Sequence, residues 1–268
     1  MKLTKGKIIL LIIVVYFAIF AVININKEKD TNKEILDKVV IVENGELKKE
    51  NEGKIVVVSG KIGYDNLVSF MELDENFGTI KIKRTVEDYL KIKDKDGKNE
   101  TKWVERTEPL EDNNGDYLKT IVSEEKISKV TIGDFELDEK GLSLIPAKKR
   151  YSGQEKIGDL ITTGLDYSRD PYEEDLKVGD MRLIYEYYEL DKDPELSILA
   201  VQKGNSFVPY KVDKKHEVYQ VFVGKVDTKA KLEKELQTNV KQTTKGKFLF
   251  IIMIIGVGIF LIVDNKKK

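Results

Sequence analysis

The chain has 268 residues, enough for one large domain or two small ones. Charged residues make up 35% of it, yet the two signs nearly cancel to a net charge of −1. The terminal tails together hold +5, which leaves −6 for the central region, and an acidic region lacks the clustered Lys and Arg that contact nucleic-acid phosphates. Nucleic acid is therefore excluded as a partner. The chain contains no cysteine, which excludes disulfides and thiol chemistry.

Two uncharged apolar runs lie near the ends of the chain. Residues 8–23 read IILLIIVVYFAIFAVI, and residues 248–263 read FLFIIMIIGVGIFLIV. Each run measures about 24 Å as a helix, slightly less than the roughly 30 Å hydrocarbon core of a bilayer. Flanking lysines can reach the lipid headgroups, and residues 24–26 can extend the first helix. We therefore predict transmembrane helices at residues 8–26 and 247–263.

The first apolar run also resembles the hydrophobic part of a signal peptide, because basic residues precede it. No small-x-small cleavage site follows it, so an uncleaved anchor is the better interpretation. Two spans place both termini on one side, and the short basic tails at residues 1–7 and 264–268 favour the cytoplasm. The sequence predicts a two-pass protein of the cell membrane, with residues 27–246 outside the cytoplasm.

The central region alternates strand patterns with turn residues such as Asn44-Gly45. Strands are predicted at residues 54–59, 67–73, 79–83, 128–132, 181–188, 197–201 and 218–223. A short helix is predicted to begin near Asn32, and residues 227–245 carry apolar residues at every fourth position, as a helix does. The predicted fold class is α+β, a β-rich extracytoplasmic domain held between an N-terminal and a C-terminal transmembrane helix.

Two segments of this region share one pattern. Residues 129–145 and 219–236 each contain a strand, a glycine, a polar residue and a leucine-bearing helix. A duplicated unit would explain the likeness, although short strings of this kind also recur by chance. Two related halves within residues 27–246 are therefore a hypothesis.

The sequence contains no evident catalytic or metal-binding motif. Its only histidine, His216, lies beside two lysines in a turn-like stretch, where a histidine is more often solvated than catalytic. Residues 93–100 and 111–116 resemble partial calcium loops but lack the register of an EF-hand, so hairpin tips are the better interpretation. No cofactor, metal site or catalytic residue is predicted, and the chain is not expected to be an enzyme.

One aromatic stretch stands out, KVGDMRLIYEYYEL at residues 177–190. Side chains alternate between the two faces of a strand, so this stretch has one apolar face and one mixed face. The apolar face, which we expect to pack on a core, comprises Met181, Leu183, Tyr185 and Tyr187. The mixed face comprises Arg182, Ile184, Glu186 and Tyr188. It fits either a half-exposed strand within a sheet or a contact with a subunit or partner, and tyrosine suits both environments.

A series of segments occurs in a fixed order between the two apolar runs. They are NEGKIVVVSGKI at 51–62, IKIKRTVEDYLKI at 80–92, Trp103, VTIGDFELDEKGL at 130–142, VGDMRLIYEYYEL at 178–190, ILAVQKGNSFVPY at 198–210 and VFVGKVDTKAKLEKEL at 221–236. The series resembles the transmembrane protein 43 (LUMA) family, which has bacterial members. Animal members end in several closely spaced spans, whereas one is predicted here. The composition, rich in lysine and isoleucine, suggests a bacterial member.

The resemblance implies a membrane protein without enzymatic activity that self-associates and organises partner proteins. For a bacterial chain, the expected partners are a second copy of itself, other membrane proteins of the envelope, and the lipid bilayer. Gly256 and Gly258 would allow close helix approach in the second span. Two alternatives remain open. One is an envelope ligand-binding or sensor module, and the other is a hydrolase that uses carboxylates such as Glu173 and Asp180.

Overall fold

The computed structural model of the protein describes most of the predicted central domain. The described residues are 27–111, 114–162, 166–168, 176–191, 194–214 and 216–238, together with Tyr16 and Ile23. Within these residues, no helix is both long and apolar enough to cross a membrane. Apart from Tyr16 and Ile23, both of which are helical, the two predicted spans lie outside the described part of the chain.

The helices that the structure describes are short. They are α1 (27–38), α2 (Tyr117–Thr120), α3 (Glu139–Leu144) and α4 (229–238), with a 3-10 turn at Lys49–Asn51. The Asp138 side chain caps the N-terminus of α3 by accepting a hydrogen bond from the Gly141 N–H at 2.9 Å. Thr228 does the same for α4, where its hydroxyl oxygen accepts from the Lys231 N–H at 3.2 Å. Helices α1 and α4 confirm that a helix lies at each end of the domain. Residue 27, five positions before the predicted start, already belongs to α1, and residues 239–245 of the second predicted helix lie outside the described residues.

Strands make up the rest of the regular structure. In chain order they are β1 (Val40–Val42), β2 (Ile55–Tyr64), β3 (Lys81–Lys93), β4 (Asn99–Glu105), β5 (Glu124–Ile127), β6 (Val130–Ile132), β7 (Phe135–Glu136), β8 (Lys149–Arg150), β9 (Lys156–Ile157), β10 (Leu160–Thr162), β11 (Tyr167–Ser168), β12 (Met181–Tyr187), β13 (Glu195–Lys203), β14 (Ser206–Val208), β15 (Tyr210–Lys211), β16 (Glu217–Val218) and β17 (Gln220–Val223). This content confirms the predicted β-rich α+β domain.

The described strands form two main sheets, each built around one long antiparallel pair. The seven-stranded sheet has the order β14-β13-β2-β6-β7, with β1 parallel to β2 and β17 antiparallel to β13. The eight-stranded sheet has the order β4-β3-β12-β11-β10-β9, with β5 beside β3 and β8 beside β12. Strands β15 and β16 form a separate hairpin. The chain passes repeatedly between the sheets, so neither sheet is a continuous segment of sequence.

Strand β2 contributes to two cores at once. Val56 and Val58 pack with residues around α3 on one face of the seven-stranded sheet. Ile55 and Val57 pack on the other face, beneath α1 and α4. A strand buried on both faces needs a continuous apolar run, which explains IVVV at its start. Full burial of each such side chain stabilises the fold by about 1.5–3 kcal/mol.

One predicted strand differs from the structure, and one predicted hairpin tip agrees with it. Residues 67–73 were expected to form a strand, but that prediction is wrong, because they form a loop with only an isolated bridge between Val68 and Thr79. Phe70 and Leu73 in this loop are buried in the core of the eight-stranded sheet, so burial accounts for their apolar character. Residues 93–100 form the tip of the β3–β4 hairpin, as predicted. There the Asp94 side chain accepts hydrogen bonds from two backbone N–H groups at 2.8 and 2.9 Å.

Candidate interaction surface

The two central strands of the eight-stranded sheet carry a mixed polar and apolar face that no described core covers. We call it the outer face. It is formed by Lys83, Thr85 and Glu87 on β3 and by Arg182, Ile184 and Glu186 on β12, all of them half-buried. The strand register places Lys83 opposite Glu186, Thr85 opposite Ile184, and Glu87 opposite Arg182. Because directly opposite side chains are about 4.5–5.5 Å apart at Cβ, each charged residue lies beside one of opposite sign.

Arg182 joins the charged part of the outer face to an aromatic part. Its Nε atom lies 2.5 Å from a Glu87 carboxylate oxygen. Its guanidinium carbon also lies 4.4 Å from the centre of the Trp103 ring on β4, and Trp103 in turn contacts Tyr89 at 5.3 Å between ring centres. Arginine, tryptophan and tyrosine are the residues that most often carry the binding energy of protein interfaces.

The opposite face of β12 packs on a core, as predicted. Met181, Leu183 and Tyr185 are at most 5% exposed, and Tyr187 packs against the same cluster. The apolar alternation of the sequence thus assigns the inner face of this strand correctly.

A hydrogen-bonded network includes Tyr185 of this core. Tyr185 and Tyr117 each donate a hydrogen bond of 2.8 Å to a different oxygen of Glu72, and Arg84 donates one of 2.5 Å. Burial alone would raise the pKa of Glu72, but the hydrogen bonds from Arg84 and Tyr185, with the positive charge of Arg84, hold that pKa below its ordinary value. Burial and the bond to Glu72 raise the pKa of Tyr117 to about 12. An ionised Glu72 carboxylate can accept all three of these hydrogen bonds.

A cavity of about 300 Å³ lies beside this network, and its wall includes Phe70, Met71 and Lys126. Arg84 and Glu72 also line it, but they are bonded to each other, with side chains only 6% and 4% exposed. Two cations lie over the Phe70 ring, with the Arg84 guanidinium carbon 4.2 Å and Lys126 Nζ 4.4 Å from the ring centre. The polar groups of this cavity thus bond to other parts of the chain. Among the described residues, no group of three His, Cys, Asp or Glu side chains can hold a metal ion.

The model of one protein family, described as transmembrane protein 43, matches residues 108–264. This match spans more than half of the chain. The chain belongs to the transmembrane protein 43 family. Neither the curated proteins nor the solved structures contain a match to it. The match confirms the resemblance of the later segments, from residue 130 onward, and membership of the transmembrane protein 43 family suggests association with a membrane.

In this member of the transmembrane protein 43 family, the residues predicted for a subunit or partner contact fall in three places. Arg182, Ile184 and Glu186 lie together on the outer face. Tyr188 departs from that pattern, since it is only 5% exposed and packs in the core of the seven-stranded sheet. The reason is that β12 ends at Tyr187, so the strand alternation no longer applies. Gly256 and Gly258 lie outside the described residues.

The residues considered for catalysis are not assembled into a site in the described part of the chain. Glu173 lies outside it, and the Asp180 carboxylate accepts a hydrogen bond of 2.6 Å from the Lys177 N–H within a turn. His216 lies on an exposed turn, with Nδ1 2.8 Å from an Asp213 oxygen and 3.3 Å from Lys27 Nζ. These contacts bring α1 and the β15–β16 hairpin together.

Sequence reasoning missed five residues of this surface, namely Lys83, Thr85, Glu87, Tyr89 and Trp103. The first three lie opposite β12 in the strand register, and the β3–β4 register places Tyr89 opposite Trp103. The turn residues near Gly97 were the available signal, because a hairpin centred there brings the two aromatic residues side by side.

Proposed function

We propose that this chain is a membrane-anchored scaffold without enzymatic activity, which self-associates and organises membrane or envelope protein complexes. One observation carries the proposal beyond family membership. The two helices that adjoin the predicted spans, α1 and α4, pack against the same core on one face of the seven-stranded sheet. The domain would then be anchored at a single place, and the outer face of the other sheet would remain available for protein contacts.

The proposed topology has both termini in the cytoplasm and the domain outside it. The absence of cysteine from the natural chain permits a direct test with single-cysteine variants. An impermeant thiol reagent added to intact cells should label Lys95→Cys on the β3–β4 hairpin. It should fail to label Lys5→Cys and Lys267→Cys until the membrane is permeabilised. Labelling in the reverse order would overturn this topology.

The scaffold role is tested by the mass of the native assembly. The full chain would be extracted into nanodiscs from its own membrane, and the co-purifying proteins identified. A multimer, or a reproducible set of membrane proteins, supports the proposal. A monomer without partners would overturn it and would favour the ligand-binding alternative.

A further inference from the structure

The charges of the outer face form a rectangle. Lys83 and Glu186 form one row across β3 and β12, and Glu87 and Arg182 form another, with Thr85 and Ile184 between the two rows. The two cations therefore lie on one diagonal of the rectangle and the two anions on the other. A rectangle of this kind is complementary to a second copy of itself turned over onto it.

We propose that the outer face binds the outer face of a second copy of this chain, around a twofold axis parallel to β3 and β12. The inference rests on the proposed self-association and names its surface. Such an axis places each row of β3 over the same row of the second copy's β12. Lys83 then faces Glu186 of the second copy, and Glu87 faces Arg182 of the second copy, with each pair formed twice.

The neighbouring strands decide the direction of the axis. Glu125 on β5 lies opposite Lys83, and Arg150 on β8 lies opposite Glu186, so both extend the first row. An axis parallel to the strands brings Glu125 over Arg150 of the second copy, which adds a third complementary pair. An axis across the strands would bring Glu125 over Glu105 of the second copy, where two carboxylates repel. Face-to-face sheets with nearly aligned strands are also a common packing.

The size of the face explains why the proposal concerns the membrane-bound protein. Strands β3 and β12 pair over residues 82–88, about 23 Å at roughly 3.3 Å per residue, and four strand positions span about 19 Å. The projected area is thus roughly 400 Å², whereas a stable soluble interface buries about 800 Å² per partner. Confinement of both copies to one bilayer raises their effective concentration and compensates for the small area.

Two charge variants of the full chain give the sharpest test. Lys83→Glu with Arg182→Glu makes the rectangle of charges acidic, and Glu87→Lys with Glu186→Lys makes it basic. Each variant is produced with two different tags. The copy with one tag should capture about tenfold less of the copy with the other tag, because like charges then face each other. Capture should return when the acidic and the basic variants are produced together. Undiminished capture of either variant by itself, or no capture between the two, would overturn the proposal.

A cross-linking test avoids any effect of the charge changes on folding. In the cysteine-free chain, Ile184→Cys places one thiol at the centre of the proposed contact. Sheets packed face to face are about 10 Å apart, within reach of a short bismaleimide. We expect cross-linked dimers in native membranes for Ile184→Cys and none for Met71→Cys, a control at a position that is 85% exposed.

The outcomes separate this inference from the proposed function. A native multimer in which Ile184→Cys cross-links no more than Met71→Cys would overturn the proposed contact and leave self-association standing. Cross-linking of Ile184→Cys to a different protein would also overturn it. A native monomer would overturn the proposed contact, and a native monomer without partners would overturn both proposals.

Discussion

Lys229 donates a hydrogen bond of 2.8 Å from Nζ to the backbone carbonyl oxygen of Leu36. The bond joins α4 to the last part of α1, although the two residues are 193 positions apart in the sequence. Ile35, Leu232 and Leu236 fill the core beneath these two helices. The segments that lead to the two predicted spans are therefore joined to each other and to the seven-stranded sheet.

Leu232→Ala should lower the free energy of unfolding of the domain by about 2–5 kcal/mol, because Leu232 is fully buried and its truncation leaves a cavity. Pulse proteolysis in urea, applied to the full chain in nanodiscs, measures this change. Val223→Ala is the matched control, since Val223 is 58% exposed and its truncation should change stability by less than about 0.5 kcal/mol. Equal effects of the two changes would show that α4 does not pack as described.

Removal of one partner from the buried Asp88–Arg106 ion pair should also destabilise the domain. Arg106 donates hydrogen bonds to both Asp88 oxygens, one of them 2.8 Å long, and another of 2.7 Å to the Leu118 carbonyl oxygen. Arg106→Met leaves the Asp88 charge buried without its partner and should cost about 3–5 kcal/mol of unfolding free energy. Adding Asp88→Leu should recover part of that loss. A double variant less stable than the single one would contradict this account.

The exposed pair of Glu34 and Lys38 on α1 provides the control for that experiment. Its side chains are 41% and 58% exposed, and the two groups are 2.7 Å apart. Lys38→Met should destabilise the domain far less than Arg106→Met in the same assay, because water solvates both charges once the contact is lost.

Local sequence patterns predict some of these features and miss others for physical reasons. The apolar alternation in β12 predicts its buried face, since alternation is a property of the strand itself. The burial of Tyr188 depends on where the strand ends, because a residue beyond the last strand position need not follow the strand alternation. The ion pair of Glu87 and Arg182 joins positions 95 residues apart, and only the sheet register brings them together.

Gly45 and Gly133 lie at a crossing of two turns that admits no side chain. A Cβ atom on Gly45 would lie 2.4 Å from the Ile132 carbonyl oxygen, and one on Gly133 would lie 2.6 Å from the Asn44 carbonyl oxygen. Both glycines also have positive φ, at 64° and 57°. Gly133→Ala should therefore destabilise the domain by more than the roughly 1 kcal/mol that a left-handed conformation alone costs.

Gly97→Ala isolates the conformational part of that effect. Gly97 has φ of 77°, and nothing lies within 4 Å of its Cβ position. We expect a loss of about 1 kcal/mol for Gly97→Ala, measured by the same urea titration. A loss for Gly133→Ala no larger than this would contradict the close approach of the two turns.

The Glu72 network predicts sensitivity to acid. The folded protein holds the pKa of Glu72 below the ordinary value of 4.5, so the unfolded chain takes up this proton more readily. The stabilisation is therefore complete at neutral pH and is lost as the pH falls below about 4.5 and through the lower pKa of the folded state. Glu72→Gln should be less stable than the natural chain at pH 7, and its stability should fall less steeply on acidification. Parallel curves for the two proteins would contradict this prediction.

Trp103 is the only tryptophan of the chain, so its fluorescence reports on the outer face alone. The Arg182 guanidinium lies over its ring at 4.4 Å and shields it from solvent. Arg182→Ala should shift the emission to longer wavelength and increase quenching by acrylamide, with a stability loss of only about 0.5–1 kcal/mol. Lys38→Ala, which removes an exposed charge from α1, should leave the emission unchanged. Equal spectra for the natural chain and Arg182→Ala would contradict this stacking, because the ring would then have the same environment with and without the arginine.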